Sequence, residues 1–241
     1  MAIYPIQIGH PEEPWQMGRY GTGERSRLDC GEIGAGPAAT RSSSAGGGTR
    51  TISDMTTPGP IGPFPPGVET GEERDAYDRM RRRALWTMPY GLYLLGSRAG
   101  DRRNLMTLNW ATQVAFEPKL LGVGIEKPAV THQLVAEGGV FSLCTIDRED
   151  RAIVRKFTKP VEIELEADGL RGTANGFPFH TEQTGAPVLD QAPAWFDCEV
   201  RQAVDLGEHT FFIGEVVACG FQKDEDTPVL RMEDTRMNYG G

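Results

Sequence analysis

The chain has 241 residues, enough for one sizeable domain or for one domain with an extension. Hydrophobic residues make up 39% of it, below the usual share of a fully globular chain, so some stretch must be underfilled. A formal net charge of −9 argues against a nucleic-acid partner, which would want a basic surface. Cys30, Cys144, Cys198 and Cys219 are widely scattered and form no C-x-x-C pair, so no metal site is expected from them. Three of them fall in apolar, strand-like stretches, where a reduced cysteine behaves as a small hydrophobe. With no basic-then-apolar leader and no run of about 18 apolar residues, the expected setting is the cytoplasm rather than a membrane.

Residues 1–69 read as a disordered or low-complexity N-terminal extension. Residues 31–50 are mostly glycine, serine and alanine, and residues 58–67 are dominated by proline. Such segments cannot recover their ordering entropy by burial. Gly34-Ala-Gly36-Pro-Ala-Ala39 imitates a dinucleotide fingerprint, but no strand precedes it and Pro37 sits inside the loop. Trp15 and Tyr20 could anchor a local contact, and a start at Met55 or Met80 would remove the extension altogether.

A folded domain is expected over residues 70–241. Thr70 and Glu73 have the spacing of a capping box, and Tyr77, Met80 and Ala84 follow at helical intervals. Arg81–Arg83 then stand where a helix end favours positive charge. From Tyr90 the period turns strand-like. Tyr90–Ser97, Leu105–Val114 and Leu120–Ile125 read as strands, the second alternating cleanly along its length. Pro128–Glu137 reads as a helix closed by Gly138-Gly139, and Val140–Ile146 as a strand. Asp147 is placed to cap a helix over Glu149–Phe157. Val161–Leu165, Ala194–Leu206 and His209–Phe221 complete the strands, the last two joined at Gly207-Glu208. The fold class is mainly β with short helices, a closed or partly closed antiparallel barrel.

The chemistry concentrates in residues 104–133. Thr107, Asn109, Ala111 and Gln113 form a strand face of small and amide groups, which suits a flat heterocycle but also suits solvent. Lys127 introduces a helix whose free amides could hold a phosphate, with Thr131 and His132 one turn in; a solvated lysine fits the same spacing.

The run NLMTLNWATQVAFEPKLLGVGIEKPAVTHQLV resembles the flavin reductase-like family of FMN-binding split barrels. That family shows N-x-M-T-x-S/N-W, then V-[SA]-F-x-P-P-L, then K-x-x-x-T-H. The likeness extends back to Pro89–Tyr93, on to His209–Val217, and ends with Met232–Gly241, so it covers about residue 70 to the C-terminus. Lys119 departs from it, standing where the family often has a second proline. The resemblance implies that Thr107, Asn109, Trp110, Ala111 and Thr112 line the isoalloxazine and ribityl chain of FMN, or of FAD. It implies that Lys127 and Thr131 hold the phosphate with His132 close by, and that His209 lies near the flavin or nicotinamide ring. Trp110 as a core residue and His209 as a structural histidine stay open alternatives. The implied activity is an oxidoreductase in which NAD(P)H reduces the flavin. The alternatives are an FMN electron carrier fed by a redox protein, and a flavin-binding module without turnover. The C-terminal run resembles the subgroup in which a rubredoxin module follows the barrel. A rubredoxin-type or monooxygenase partner would then be a separate chain, and the implied assembly is a homodimer.

Overall fold

The computed structural model describes residues 64–235, which fall within one compact unit. The expectations for Trp15, Tyr20, Cys30, the Gly34–Ala39 loop, nearly all of the N-terminal extension and the last six residues lie outside the described residues. Helix α1 (Gly71–Leu85) begins where its local chemistry directs. Thr70 Oγ1 accepts from the Glu73 amide at 3.2 Å, and Glu73 Oε2 accepts from the Thr70 amide at 2.9 Å. These bonds, the backbone one at Thr70 foremost, hold the Glu73 carboxyl below the usual carboxylate range. The apolar stripe of α1 stays at the surface, with no residue of the helix buried.

Eleven strands follow among the described residues. They are β1 (Tyr93–Ala99), β2 (Arg102–Leu108), β3 (Ala111–Ala115), β4 (Leu120–Glu126), β5 (Val140–Thr145) and β6 (Ile163–Leu165). After them come β7 (Arg171–Ala174), β8 (Phe177–Thr181), β9 (Pro187–Leu189), β10 (Ala194–Asp205) and β11 (His209–Phe221). Helix α2 (Val130–Gly138) joins β4 to β5 and ends at Gly139, whose φ of 68° is the left-handed turn that glycine adopts without strain.

Seven strands form one antiparallel sheet in the order β2-β1-β5-β10-β11-β4-β3. Strands β2 and β3 are consecutive in the chain yet occupy opposite edges. The three Cα steps from Leu108 to Ala111 span at most about 11 Å, so the sheet must curl until its two edges nearly meet. No ladder joins those edges, which leaves a barrel split along one seam.

This closure corrects the reading of residues 105–114 as one strand. The chain turns at Asn109-Trp110, and the corner shifts the side-chain parity. Met106, Leu108 and Ala111 all pack into the barrel core, whereas an unbroken strand would put Ala111 opposite Leu108. That core is built on Leu95, Val123, Ile125, Phe141 and Phe212. The outer faces of β1, β2, β5 and β10 supply a second core, with Leu94, Leu105, Phe157, Phe179 and Leu189. There a four-stranded sheet, β6-β7-β8-β9, packs on the barrel.

The sequence reading assigned no element to residues 166–193, which carry β7, β8 and β9. Their short runs around Gly172, Gly176 and Pro178 lack the length and alternation that mark a strand locally. The helix expected over Glu149–Phe157 is instead a 3₁₀ segment, Arg151–Phe157, with Asp150 at its N-cap. Asp147 Oδ1 accepts from the Glu149 amide at 3.0 Å and so shapes the turn ahead of it. A C-terminal strap finishes the fold. Leu92 donates to the Leu230 carbonyl at 3.1 Å, and the Leu230 and Met232 amides donate to Ile146 and Tyr90 at 2.8 and 2.9 Å. Among the described residues, no helix is long and apolar enough to cross a membrane.

Candidate flavin site at the barrel seam

A cavity of about 340 Å³ opens where the end of β2 meets the start of α2, inside the range of small-ligand pockets. Thr107 and Asn109 enter it from the strand, Pro128 and Thr131 from the helix start, and Phe157 and Lys159 from the 3₁₀ segment and the loop after it. Leu92, Met106 and Met232 add apolar wall.

One buried amide holds three of these walls together. Asn104 Nδ2 donates to Thr131 Oγ1 at 2.7 Å, and Asn104 Oδ1 accepts from the Val161 amide at 3.3 Å. The strand, the helix and the loop are thereby fixed relative to one another. Thr131 keeps its hydroxyl proton, because it accepts from Asn104. Thr107 Oγ1 spends its proton on the Val154 carbonyl at 2.8 Å and keeps lone pairs to accept. The cavity thus presents both hydrogen-bond senses between apolar walls, which fits a flat heterocycle bearing carbonyls and ring nitrogens.

The residues expected at the site do not all converge. Thr107, Asn109 and Thr131 share the cavity. Ala111 and Thr112 line a second cavity of about 580 Å³, with Tyr93, Leu121, Phe196 and Cys219. The Trp110 and His209 rings pack against each other, tilted by 54° with centroids 4.8 Å apart, and line neither cavity. His132 turns away from Thr131: its Nε2 lies 2.8 Å from Thr210 Oγ1, and its ring packs on Phe212. Burial, seconded by the charge of Lys127, pushes the His132 imidazole below its ordinary pKa, which favours the neutral ring.

Lys127 is also directed elsewhere. Its Nζ lies 2.8 and 2.9 Å from the two carboxylate oxygens of Asp205, which also accepts from the Gly207 amide at 2.8 Å. The lysine, ahead of that amide, holds the Asp205 carboxyl below its usual range. Asn104, Met106, Glu126, Lys159 and Met232 line the cavity without having been singled out in the sequence. Asn104 opens the N-x-M-T stretch and could have been read from it; the loop lysine offers no local signal.

A barrel open along one seam, with a polar-rimmed hollow where the seam meets a helix start, defines a split-barrel ligand-binding domain. The flavin reductase like domain matches residues 82–240, and the chain belongs to that family. It is 30% identical over 139 residues to a high molecular weight rubredoxin of Moorella thermoacetica, covering 57% of this chain and 58% of that one. It is 32% identical over 115 residues to the NADH-dependent flavin reductase StyB of Pseudomonas fluorescens, covering 48% and 61%. The chain therefore spans about six-tenths of the length of these two relatives. The fold is shared with an NADH:FAD oxidoreductase of Streptomyces globisporus solved with NAD and FAD fragments, at a TM-score of 0.51 and 22% identity over 65% of this chain and 89% of that one.

Proposed function

We propose that the protein is an NAD(P)H-dependent flavin oxidoreductase that seats FMN, or FAD in its place, in the cavity at the seam. The observation that carries this reading is the Asn104–Thr131 bond, which draws β2 and α2 around one hollow of mixed donors and acceptors. Family membership supplies the class of ligand. When bound, the flavin provides the redox chemistry by accepting a hydride from NAD(P)H. The chain positions the ring: Thr107 and Thr131 offer an acceptor and a donor, Met106 and Leu92 exclude water, and Asn109 closes the strand end. No nucleophile and no acid–base pair is required of it.

The domain runs over residues 70–241, beyond an N-terminal extension of residues 1–69. Free Cys144, Cys198 and Cys219 support a reducing, cytoplasmic setting. The likeness to a high molecular weight rubredoxin favours one further reading, an FMN carrier exchanging electrons with a rubredoxin-type protein. A monooxygenase is the other partner class, and a homodimer the proposed assembly. The visible spectrum of the purified protein before and after anaerobic NAD(P)H separates these readings. Oxidation of NADH that depends on added free flavin marks a reductase. A yellow protein inert to NADH yet reduced by a redox protein marks a carrier. A protein that takes up no flavin overturns both.

A further inference from the structure

Helix α1 stands apart from both cores: none of its 15 residues is buried, and Met80 and Leu85 are about half exposed. A lone helix of that length is marginal in water even when well capped, so a neighbour is needed to hold it. Its sides are not alike. On one of them Phe64 packs edge-on to Tyr77, with ring centroids 6.0 Å apart, and lies under the Arg74 and Arg81 guanidiniums, each 5.3 Å from its centroid. Asp78 is engaged there by Arg81 and Arg82. The opposite side is bare. At about 3.6 residues per turn it presents two adjacent exposed rows, Ala76, Met80 and Ala84 in one, Glu72, Asp75, Arg79 and Arg83 in the other. No ion pair engages these four charges among the described residues. Along the helix they run as two acids, then two bases. Arg79 and Arg83 stand four residues apart, a like-charge spacing that costs an isolated helix stability. Turned end over end against itself, the same row sets bases against acids. An antiparallel second copy centred between Tyr77 and Asp78 brings Glu72 beside the partner's Arg83 and Asp75 beside the partner's Arg79, twice over by symmetry. It also packs Met80 against the partner's Ala76 and opposes the two helix dipoles. In a parallel pair the charged row would instead face the flank that Phe64 already covers. We propose that α1 is a self-association surface that binds the α1 of a second copy antiparallel, through the Ala76-Met80-Ala84 row and the charged row beside it. The proposal rests on the homodimer reading above and names its face and register.

The test uses the full chain and two charge-reversed forms of it. In one, Arg79→Glu with Arg83→Glu makes the row wholly acidic; in the other, Glu72→Arg with Asp75→Arg makes it wholly basic. Sedimentation equilibrium of each form alone should show the dimer Kd raised by about tenfold or more, since attractive pairs become repulsive ones. Mixed in equal amounts, the two forms should regain a dimer of near-parent affinity, which native mass spectrometry reads as a heterodimer. That recovery separates lost complementarity from a helix merely weakened at its ends. In the parent, hydrogen exchange of the α1 amides should slow as protein concentration rises through the dimer Kd. A parent dimer that neither reversal weakens overturns the assignment, as do weakened forms that fail to recover on mixing. Protection of α1 that is independent of concentration also overturns it, because the helix is then covered from within its own chain. A parent protein that stays monomeric overturns the homodimer reading itself, a result distinct from the others.

Discussion

Two cavities of this barrel make an instructive pair. The larger, about 580 Å³, is walled chiefly by apolar side chains from β1, β3, β4, β5, β10 and β11. The smaller, about 340 Å³, gathers Asn104, Thr107, Asn109 and Thr131 beside Leu92, Met106 and Phe157. Volume would favour the first as a ligand site; convergent donors and acceptors favour the second. Apolar space by itself gives little orientation to a ligand, whereas a few fixed hydrogen-bonding groups set both pose and selectivity. The family motif straddles the boundary between them, because the corner at Asn109-Trp110 sends Thr107 to one cavity and Thr112 to the other.

The sharpest way to break this comparison is to loosen the strap that closes only the smaller cavity. Leu230 is 1% exposed and packs in the outer core. Leu230→Ala should cost about 2–5 kcal/mol in urea unfolding and weaken flavin binding by freeing Met232. Next is the amide that joins the walls. Asn104→Ala removes the partner of Thr131 and of the Val161 amide, and should cost about 1–3 kcal/mol of stability. Flavin titration of the same variant should show weaker binding. Thr112→Val and Cys219→Ser, in the larger cavity, should leave flavin affinity within about twofold. A loss there matching that of Asn104→Ala would move the ligand to the other cavity.

The smallest effect concerns pH. His132 follows Thr131 on α2, and burial holds its native pKa below the unfolded value of about 6.5. Below that value the unfolded chain binds the extra proton, so the stability contributed by the neutral ring is complete above about pH 6.5 and declines as pH falls toward the native pKa. Urea midpoints measured at about pH 7.5 and about pH 5.5 should show this decline, and His132→Gln should flatten it.

Legibility differed from element to element. The capping box at Thr70 and Glu73 was readable because its donors and acceptors lie within four residues. Strands β1, β4 and β5 were readable from apolar runs, since a strand buried on both faces needs them. The break at Asn109-Trp110 was not, because it follows from sheet closure, and a lone asparagine within an alternating run does not by itself mark a turn. Strands β7–β9 were not, because their stability comes from packing on β1 and β5, through Val188, Leu189 and Phe179, more than from their own propensity. At the site, Thr107, Asn109 and Thr131 were readable as a group, while Lys159 and Glu126 were not.

The order of the motifs in the sequence already determined the family and the type of each strong element, since both are written in residues a few positions apart. Which of those residues share a hollow was decided only by tertiary structure. Asn104 meets Thr131 across 27 residues, and Lys127 meets Asp205 across 78. Such pairings depend on how far the sheet curls and which edges its corner brings together, and that geometry is a property of the whole packed sheet.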